Sequence, residues 1–517
     1  MESPERGGDP TFTVTGKLHQ MSERTFRLYD TMTRQVKPIE LAEPGLLRFY
    51  SCGPTVYSYA HIGNFRTFLT ADLVIRTAEA LGWTVKYVSN ITDVGHLTQD
   101  NLADASGEDK MASALKSKEG EQFNNVWELA EFYEDAFLED WARLNLREPS
   151  VRPRATQHMR EQIVAAEQLV KEGYAYETPT GVYFSVDSFK GYGKLSGNTQ
   201  ENLRKAVREV VLDDNKKEQA DFALWKKDDK HLMQWYSPFG WGFPGWHLEC
   251  SVMARMYLGD TLDLHAGGED LIFPHHECEI AQSEALTGKP FSNHWIHTRF
   301  LQVNGEKMSK STGNYYTVRS LLEKGADPLA IRYALISGIY TKPLNFTDQS
   351  LSDAMGNLDR FKRCDAAVEA ALENGGEGPD VIGAALGDLY DQALDAMTND
   401  LNTSVALAKA LEGTRVILRE SESLSKESAK SGKLYLDRIN ALLGIVRQER
   451  DLGCDPIEAA GPKVDEARIQ NLIEERTAAK KSKDFARADQ IRKDLEVEGI
   501  ELRDSIEGTT WVVKSAL

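Results

Sequence analysis

Residues 46–64 read LLRFYSCGPTVYSYAHIGN, and they contain the change from strand to helix on which the expected fold depends. The first seven residues are mostly apolar and predict a short buried strand, which the Gly53-Pro54 pair ends. The pattern then turns helical from Gly63 to Leu81, with apolar residues four apart on one face. Residues 85–91, VKYVSNI, predict a second strand, so the segment forms one parallel βαβ unit.

A βαβ unit of this kind is typical of a doubly wound nucleotide-binding domain. Residues 96–121 are polar and predict an inserted, mobile loop. Beyond residue 315 the chain is nearly all helical, and Asp327-Pro328 predicts a helix start, since an N-cap residue precedes a proline at the first helical position.

We therefore expect an α/β protein with a doubly wound, parallel-sheet (Rossmann-like) domain that carries an insertion, followed by a helical bundle and a small α+β C-terminal domain. The expected units are an N-terminal extension (1–24), the first half of the sheet domain (25–150), a connective insertion (151–235), the second half of the sheet domain (236–325), the bundle (326–455) and the C-terminal domain (463–517).

The composition limits the class of protein. Of the 517 residues, 41% are hydrophobic and 27% are charged, which is ordinary for a soluble globular protein. No stretch approaches 18 consecutive apolar residues, and the N-terminal MESPERGGDP has no apolar core, so we expect neither a membrane span nor a secretory signal. Five cysteines in a chain of this length predict a reduced, cytosolic protein. The net charge of −19 argues against non-specific coating of nucleic acid, although it allows a local binding patch.

His61, Gly63 and Asn64 fall where the predicted strand turns into the helix. A glycine lets the backbone approach a ligand closely, and a helix N-terminus favours phosphate. Both His61 and Asn64 could hydrogen-bond developing charge on a phosphate. Taken alone, this short motif is more often an ordinary turn than a nucleotide site.

Residues 307–314, KMSKSTGN, form a glycine-flanked segment with two lysines and two serines. A lysine is a mobile point charge, suited to a loop that closes on a triphosphate. The alternative is a solvated basic loop, and the string by itself leaves both interpretations open.

Cys52, Cys250, His275 and Glu279 are residue types that bind metal ions. Only His275 and Glu279 have an informative spacing, because positions i and i+4 share one face of a helix. In isolation such a pair is more often a surface hydrogen bond than part of a metal site. Residues 276–280, HECEI, do not fit the zinc-protease pattern, since no second histidine follows at the required place.

In combination these motifs resemble those of a known family. His61–Asn64 resembles the first signature of the class I aminoacyl-tRNA synthetases, and Lys307–Ser311 is identical to their second signature. Within that class, longer strings resemble the cysteinyl-tRNA synthetases: YSCGPTVYSYAHIGN (50–64), NITDVGHLT (90–98), GFPGWHLECSVMA (242–254), HAGGEDLIFPHHECEIAQSEA (265–285) and KDFARADQIRKDLEVEGIELRDSIEGTTW (483–511). The resemblance covers roughly residues 25–517. It departs at Asn64, where the family usually has histidine, and at Ala266, where glycine is common.

The resemblance assigns roles by position. The metal ligands would be Cys52, Cys250, His275 and Glu279. The substrate pocket would contain Gly53, Thr92, Trp246 and Asp270. ATP would contact Gly63, Gly267, Gly268 and Lys310, and the catalytic residues would be His61, Asn64, Lys307 and Lys310. The anticodon contacts would be Asp489, Arg492, Asp504 and Trp511.

The implied activity is that of a cysteine–tRNA ligase, which forms cysteinyl-adenylate from L-cysteine and ATP and then loads the 3′-terminal adenosine of tRNA(Cys). The implied form is a cytoplasmic monomer with neither a DNA nor a membrane partner. One Zn²⁺ per chain would select the substrate thiol, since zinc prefers a soft thiolate to a hydroxyl, and Mg²⁺ would accompany ATP.

Two alternatives remain open. A cysteine ligase of the mycothiol pathway would share the fold and chemistry, but its sugar acceptor would not require the C-terminal domain. A catalytically inert paralogue would bind tRNA or metal only, and the intact KMSKS motif and complete ligand set argue against it.

Overall fold

The structure of the protein is a computed structural model. It describes residues 24–95, 97–99, 106–198, 215–308, 314–450, 466–482, 484–497, 500–505 and 508–513, and at some element ends, including 503–505 and 508–513, it describes the backbone alone. The expected N-terminal extension (1–24) lies outside the described residues except for Arg24. Within the described ranges, no helix is both long enough and apolar enough to cross a bilayer.

The strands are short, as is usual for a globular protein. In chain order they are β1 (Arg27–Asp30), β2 (Gln35–Pro38), β3 (Leu46–Ser51), β4 (Thr84–Ser89), β5 (Leu97–Gln99), β6 (Ser106–Asp109), β7 (Ala175–Glu177), β8 (Gly181–Phe184), β9 (Phe222–Lys226), β10 (Trp235–Ser237), β11 (Gly240–Pro244), β12 (Leu264–Gly268), β13 (Trp295–Thr298), β14 (Leu301–Val303), β15 (Glu306–Lys307), β16 (Leu344–Phe346), β17 (Ile500–Ser505) and β18 (Gly508–Val513).

The helices are longest in the second half of the chain. In chain order they are α1 (Ile62–Ala80), α2 (Lys110–Leu115), α3 (Val126–Arg143), α4 (Met159–Lys171), α5 (Trp246–Leu258), α6 (Glu277–Thr287), α7 (Val318–Glu323), α8 (Pro328–Ile336), α9 (Asp348–Asn374), α10 (Gly383–Thr398), α11 (Thr403–Arg419), α12 (Lys426–Leu443), α13 (Glu466–Lys481) and α14 (Phe485–Val497).

A four-stranded parallel sheet in the order β13-β12-β3-β4 forms the centre of the fold. The helix α1 connects β3 to β4, which confirms the βαβ unit expected from residues 46–91. Strands paired in parallel need such a crossover, because a tight hairpin cannot join them.

The strand β3 directs alternate side chains to opposite faces of this sheet. Leu47 and Phe49 belong to the large core that also contains α1, whereas Tyr50 and Cys52 belong to a second cluster with residues of α5 and α6. Helices therefore cover both faces, and the expected doubly wound architecture is confirmed. The same alternation directs Cys52 towards the two helices that carry Cys250 and Glu279.

The chain between the two halves of the sheet forms a separate layer. An antiparallel sheet in the order β10-β11-β9-β8-β7 packs with α4 and α5. After the second half of the parallel sheet, α9 to α12 pack against one another as a helical bundle. The C-terminal unit pairs α13 with α14 and β17 with β18, as the sequence predicts. The residues between the expected bundle and the expected C-terminal domain, 456–462, lie outside the described residues.

The predicted helix start at Asp327 is also confirmed. Oδ1 of Asp327 accepts a hydrogen bond from the backbone N of Leu329 at 2.8 Å, and Pro328 is the first residue of α8. An N-cap acceptor of this kind satisfies one of the donors that a helix leaves unpaired at its start.

The prediction of a loop over residues 96–121 is wrong in the part that the structure describes. These residues form the antiparallel pair β5-β6, the helix α2 and a 3₁₀ turn at Glu119–Gln122. Two residues give the segment its order: Asp109 caps α2 by accepting from Ala112 N at 2.7 Å, and Met111 is completely buried in the large core. The loop was predicted from the average polarity of these 26 residues, and an average does not reveal single residues whose contacts order a segment.

Candidate functional site

Four possible metal ligands come from three separate parts of the chain. Cys52 follows β3, Cys250 lies on α5, His275 precedes α6 and Glu279 lies in the first turn of α6. One ligand atom from each lies within 4.8 Å of the others, and all four residues are buried. The structure thus brings together the four residues that the sequence resemblance assigned to metal binding.

The electrostatics of this cluster favour a cation. Nε2 of His275 lies 2.8 Å from Oε1 of Glu279, and Sγ of Cys52 lies 3.4 Å from the same oxygen. Burial raises the pKa of Glu279, but His265 and His275 together lower it well below its usual range. Burial lowers the pKa of His275, yet Glu279 and Cys250 raise it to about 10. Two thiols, an imidazole and a carboxylate form a donor set that suits zinc.

Sequence reasoning missed two further histidines at this cluster. Nε2 of His265 lies 2.8 Å from Oε2 of Glu279, and Nε2 of His276 lies 3.4 Å from Sγ of Cys52. With Cys52 and Glu279, these two histidines form an alternative group of four ligand atoms, also within 4.8 Å of one another. Burial lowers the pKa of His276 well below its usual range, so this ring is neutral. The one available indication was that both lie inside the string 265–285.

An open cleft lies beside Cys52. Its lining contains residues that the sequence assigned to metal binding, to substrate binding, and to ATP binding or catalysis. Among its lining residues are Cys52, Gly53, His61, Asn64, Trp246, Gly268 and Asp270. The cleft therefore connects the possible metal cluster at one end with the N-terminus of α1 at the other.

Close contacts fix the wall of the cleft next to the cluster. The ring of Trp246 packs on that of His275, with their centroids 4.5 Å apart. A Cβ at Gly53 would lie 1.6 Å from the carbonyl oxygen of Asn90, so a larger residue at position 53 would displace the backbone. Oδ1 of Asn90 also accepts a hydrogen bond from the backbone N of Gly53 at 2.9 Å. Asn90, which the sequence reasoning did not single out, thus holds this wall in place.

Thr92 is buried behind the same wall, outside the lining of the cleft as far as the structure describes it. Its Oγ1 donates to Oε2 of Glu249 at 2.9 Å and accepts from Nδ2 of Asn90 at 3.2 Å. Burial raises the pKa of Glu249 well above its usual range, and the neighbouring Cys250 raises it further. The geometry gives Thr92 a supporting contact to the wall.

Ala266 and Gly267 point to opposite faces of β12. A Cβ at Gly267 would lie 2.7 Å from Cε1 of His276, so this position permits a close approach of the imidazole. Ala266 is buried in the large core that contains α1. Ala266 is therefore absent from the described lining of the cleft, so the departure from the family pattern at this position places no methyl group there.

His61 and Asn64 form a reciprocal cap at the N-terminus of α1. Nδ1 of His61 accepts a hydrogen bond from the backbone N of Asn64 at 3.0 Å, and Oδ1 of Asn64 accepts one from the backbone N of His61 at 3.0 Å. Asparagine can make this contact because its amide oxygen is an acceptor. The positive end of the helix dipole lies where the two side chains meet the cleft, an arrangement that favours an anion.

Met308 of the second signature lies close to Gly63 of the first. A Cβ at Gly63 would lie 2.8 Å from Cε of Met308, so the absence of a side chain at Gly63 permits this contact. Lys307 ends β15 with an exposed side chain, and its carbonyl oxygen accepts from Nδ2 of Asn314 at 3.1 Å. Lys310 lies outside the described residues.

The expected anticodon residues lie on the C-terminal unit. Asp489 and Arg492 are exposed on α14. Asp504 lies on β17 opposite Thr509, and Trp511 lies on β18 opposite Leu502. For Asp504 and Trp511 the backbone alone is described, so their side chains lie outside the described structure.

Comparison with known sequences gives consistent results over most of the chain. The family profile described as "tRNA synthetases class I (C) catalytic domain" matches residues 38–356. A "Cysteine--tRNA ligase" of Salinibacter ruber is 53% identical over 95% of this chain and 99% of its own length. A "Cysteine--tRNA ligase" of Chlorobaculum tepidum is 40% identical over 95% of this chain and 100% of its own length.

Comparison with solved structures supports the fold. The methionyl-tRNA synthetase of Mycobacterium tuberculosis, in complex with methionyl-adenylate, superposes with a TM-score of 0.53 at 15% identity, covering 77% of this chain and 92% of its own. The LeuRS of Agrobacterium radiobacter, in a ternary complex, superposes with a TM-score of 0.56 at 10% identity, covering 79% of this chain and 85% of its own.

Proposed function

Because the chain belongs to the cysteinyl-tRNA synthetase family of class I, we propose that it activates L-cysteine with ATP and transfers the cysteine to the 3′-terminal adenosine of tRNA(Cys). The observation that supports this proposal best is the single cleft that contains Cys52, Trp246 and Asp270 at one end and the His61–Asn64 cap at the other. A thiol-binding end and a phosphate-binding end in one cleft suit a reaction between cysteine and ATP.

The amino acid would bind at the end beside the buried cluster. Asp270 would accept hydrogen bonds from the substrate ammonium, and Trp246 would close one side of the pocket. The backbone of Gly53, held by Asn90, would line the pocket without a side chain of its own. These contacts would orient the substrate carboxylate towards the other end of the cleft.

Selection of cysteine over serine would depend on a metal. A zinc ion held by Cys52, Cys250, His275 and Glu279 would supply a soft ligand position that prefers a thiolate to a hydroxyl. Packing alone would discriminate between these two side chains poorly, because small differences in a pocket are worth only about 1–3 kcal/mol. Discrimination at the metal would make a separate editing domain unnecessary.

In the first step, the cysteine carboxylate attacks the α-phosphate of ATP in line, and pyrophosphate leaves. The protein would contribute positioning and charge stabilisation, as in phosphoryl transfer generally. The N-terminus of α1, with His61 and Asn64, would receive the phosphates near the adenylate. Lys307 and Lys310 would stabilise the charge that develops on pyrophosphate, with Mg²⁺ on the phosphate oxygens.

In the second step, a hydroxyl of the terminal adenosine attacks the adenylate carbonyl, and AMP leaves. The bundle would contact the tRNA along its stem, and the C-terminal unit would read the anticodon. Asp489 and Asp504 could accept hydrogen bonds from base amino groups, which cationic side chains cannot do. Arg492 could meet a phosphate, and Trp511 could stack on an unpaired base. We propose that the enzyme works as a monomer in the cytoplasm.

Two other functions are less well supported. A cysteine ligase with a sugar acceptor would need no C-terminal unit. This chain has one, and its match to the Salinibacter cysteine–tRNA ligase covers 95% of this chain and 99% of the relative. An inert paralogue would not need its cleft residues, His61 and Asp270 among them, to meet at one site.

The test is ATP–pyrophosphate exchange with each of the twenty amino acids, before and after removal of metal. We expect exchange with cysteine alone, its loss on stripping and its recovery with zinc. Charging of tRNA(Cys) then identifies the acceptor, and transfer to an amino sugar instead would favour the mycothiol-type ligase. Absence of cysteine-dependent exchange in folded, metal-replete protein would overturn the proposal.

A further inference from the structure

A cavity that is separate from the catalytic cleft lies between α4, α5 and α6, and we call it the three-helix cavity. Its volume is about 360 Å³, within the range of roughly 300–1,000 Å³ usual for ligand pockets. Its described lining has no residue in common with that of the catalytic cleft. Two of its lining residues are close in sequence to proposed metal ligands, since Ser251 follows Cys250 on α5 and Ser283 lies one turn after Glu279 on α6.

The three-helix cavity is largely apolar. Ala165, Val252 and Leu286 are buried lining residues and form its floor. Val164 on α4 and Met256 on α5 line it as well, but these two side chains remain 50% and 54% exposed. Apolar side chains left uncovered around a concave surface are typical of a ligand site. A molecule with an apolar body would cover both of them.

A polar group lies among these apolar residues. Ser283 is 2% exposed, and its Oγ makes no hydrogen bond to the part of the chain that the structure describes. By contrast, Oγ of Ser251 donates to Oε1 of Gln282 at 2.7 Å. A buried hydroxyl without a partner is costly, and buried polar groups in proteins are nearly always hydrogen-bonded. A polar atom on a bound molecule would give Ser283 a partner.

The charged groups around the three-helix cavity favour an anion. Both carboxylate oxygens of Asp260 are paired, one with Nε of Arg255 at 3.0 Å and the other with Nζ of Lys289 at 2.8 Å. Within the described residues, neither the terminal nitrogens of Arg255 nor the exposed guanidinium of Arg160 makes a hydrogen bond or an ion pair. Besides Asp260, Glu161 is the one carboxylate in the described lining. Guanidinium groups bind carboxylates through pairs of N–H donors, and here their donors outnumber the opposing charge.

We propose that the three-helix cavity binds a small apolar anion, namely an ionised aromatic or aliphatic carboxylic acid. The apolar body lies on Val252 and Leu286 and covers Val164, while the carboxylate accepts hydrogen bonds from Arg160 and Arg255. The volume suits one ring with a short chain. This inference goes beyond the proposed function and does not rest on it, because binding at this cavity is measured without the reaction.

The test is isothermal titration calorimetry of the full-length, metal-replete protein with 4-phenylbutyrate as the probe. We expect one site per chain with a Kd below about 1 mM. The matched probe 4-phenylbutan-1-ol has the same apolar body without the charge, and it should bind at least about threefold more weakly. Absence of saturable binding by the acid would overturn the proposal, and equal affinities of the acid and the alcohol would overturn its choice of an anion.

Two pairs of variants locate the site. Val164→Trp places a large side chain over the three-helix cavity and should weaken binding of 4-phenylbutyrate at least about tenfold. Its control is Val405→Trp on α11, a position that is 41% exposed and absent from the described lining. Arg160→Glu should weaken binding of the acid about fivefold and leave that of the alcohol unchanged. Its control is Lys171→Glu at the other end of α4, which should alter neither affinity.

The same titrations distinguish the three-helix cavity from the catalytic cleft. Saturating cysteine or ATP should leave the affinity for 4-phenylbutyrate unchanged, because the two described linings share no residue. Displacement of the probe by either molecule would place the probe in the cleft and overturn the proposal. Unchanged binding in Val164→Trp, a half-exposed position at which the fold should persist, would overturn it too.

Discussion

Nε2 of His265 lies 2.8 Å from Oε2 of Glu279, and both side chains are completely buried. The other carboxylate oxygen of Glu279 lies 2.8 Å from Nε2 of His275. The Glu279 carboxylate is therefore held by one imidazole on each oxygen. Such outer contacts orient metal ligands and set their basicity.

The first prediction concerns this contact. We expect His265→Leu to weaken zinc binding by about 10- to 100-fold, because Glu279 loses the partner that orients it. The measurement is competition with a chromophoric chelator. His158→Gln is the matched control, since His158 is also buried but bonds to Tyr257, and it should leave the affinity unchanged. Unaltered affinity in His265→Leu would contradict the orienting role.

The second prediction compares two buried cysteines near the cluster. Cys250→Ser should remove zinc and lower cysteine-dependent exchange by at least about 100-fold, more than the loss of an outer contact. Cys278→Ala should retain both, because Sγ of Cys278 contacts Oη of Tyr192 at 3.3 Å in a separate hydrophobic cluster. Metal content by mass spectrometry and exchange rates test the pair. Full exchange by metal-free Cys250→Ser would refute thiol selection at the metal.

Local patterns in the sequence predicted much of the fold. The βαβ unit was predictable because a short, mostly apolar run that ends at Gly53-Pro54 is followed, from Gly63, by apolar residues four apart. The start of α8 was predictable because its signals are local. Asp327 caps the helix by accepting from a backbone N two residues on, and Pro328 occupies the first helical position. The proposed metal ligands Cys52 and Cys250 had no informative spacing and were assigned through the family resemblance alone.

The contacts that the sequence did not reveal are long-range ones. His265 bonds to Glu279 because β12 lies beside α6, and Asn90 supports Gly53 because β4 is paired with β3. Neither residue has a distinctive local pattern, since each contact follows from the order of strands in the sheet. The segment around Met111 folds for a similar reason, because one buried side chain anchors an otherwise polar stretch.

The third prediction separates the capping role of Asn64 from its role at the phosphates. Asn64→Asp keeps an acceptor for the backbone N of His61, so the stability should be retained. The added negative charge should nonetheless lower cysteine-dependent exchange at least tenfold, because the helix N-terminus would no longer favour phosphate. Asn64→Ala should lower the rate of exchange and should also reduce the stability by about 1 kcal/mol. Exchange rates and thermal unfolding measure the two effects, and normal exchange in Asn64→Asp would contradict the proposed role.

The fourth prediction concerns a buried ion network that joins the sheet domain to the helical region. Asp72 on α1 accepts hydrogen bonds from Arg76 and from Arg332 on α8, and all three side chains are buried. Burial raises the pKa of Asp72, but the two guanidinium groups lower it overall. Asp72→Asn should destabilise the protein by about 3–5 kcal/mol, since the buried Arg332 loses its counter-ion and Arg76 keeps only its ion pair with Glu449.

Urea unfolding followed by tryptophan fluorescence measures this loss. Glu427→Gln is the control, because it breaks an exposed ion pair with Lys430 on α12 and should leave the midpoint unchanged. A midpoint for Asp72→Asn equal to that of the wild type would show that the network does not stabilise the fold.

The fifth prediction concerns pH and His294, which is 1% exposed. Burial lowers the pKa of its imidazole to about 4 from an ordinary value of 6.5. The unfolded chain therefore takes up this proton first as the pH falls, so the stabilising contribution is complete above pH 6.5 and is lost towards pH 4. Between about pH 7.5 and about pH 4.5, the wild type should lose about 2–3 kcal/mol more than His294→Gln. Urea unfolding at both pH values measures the difference, and equal losses in the two proteins would show that His294 titrates normally in the fold.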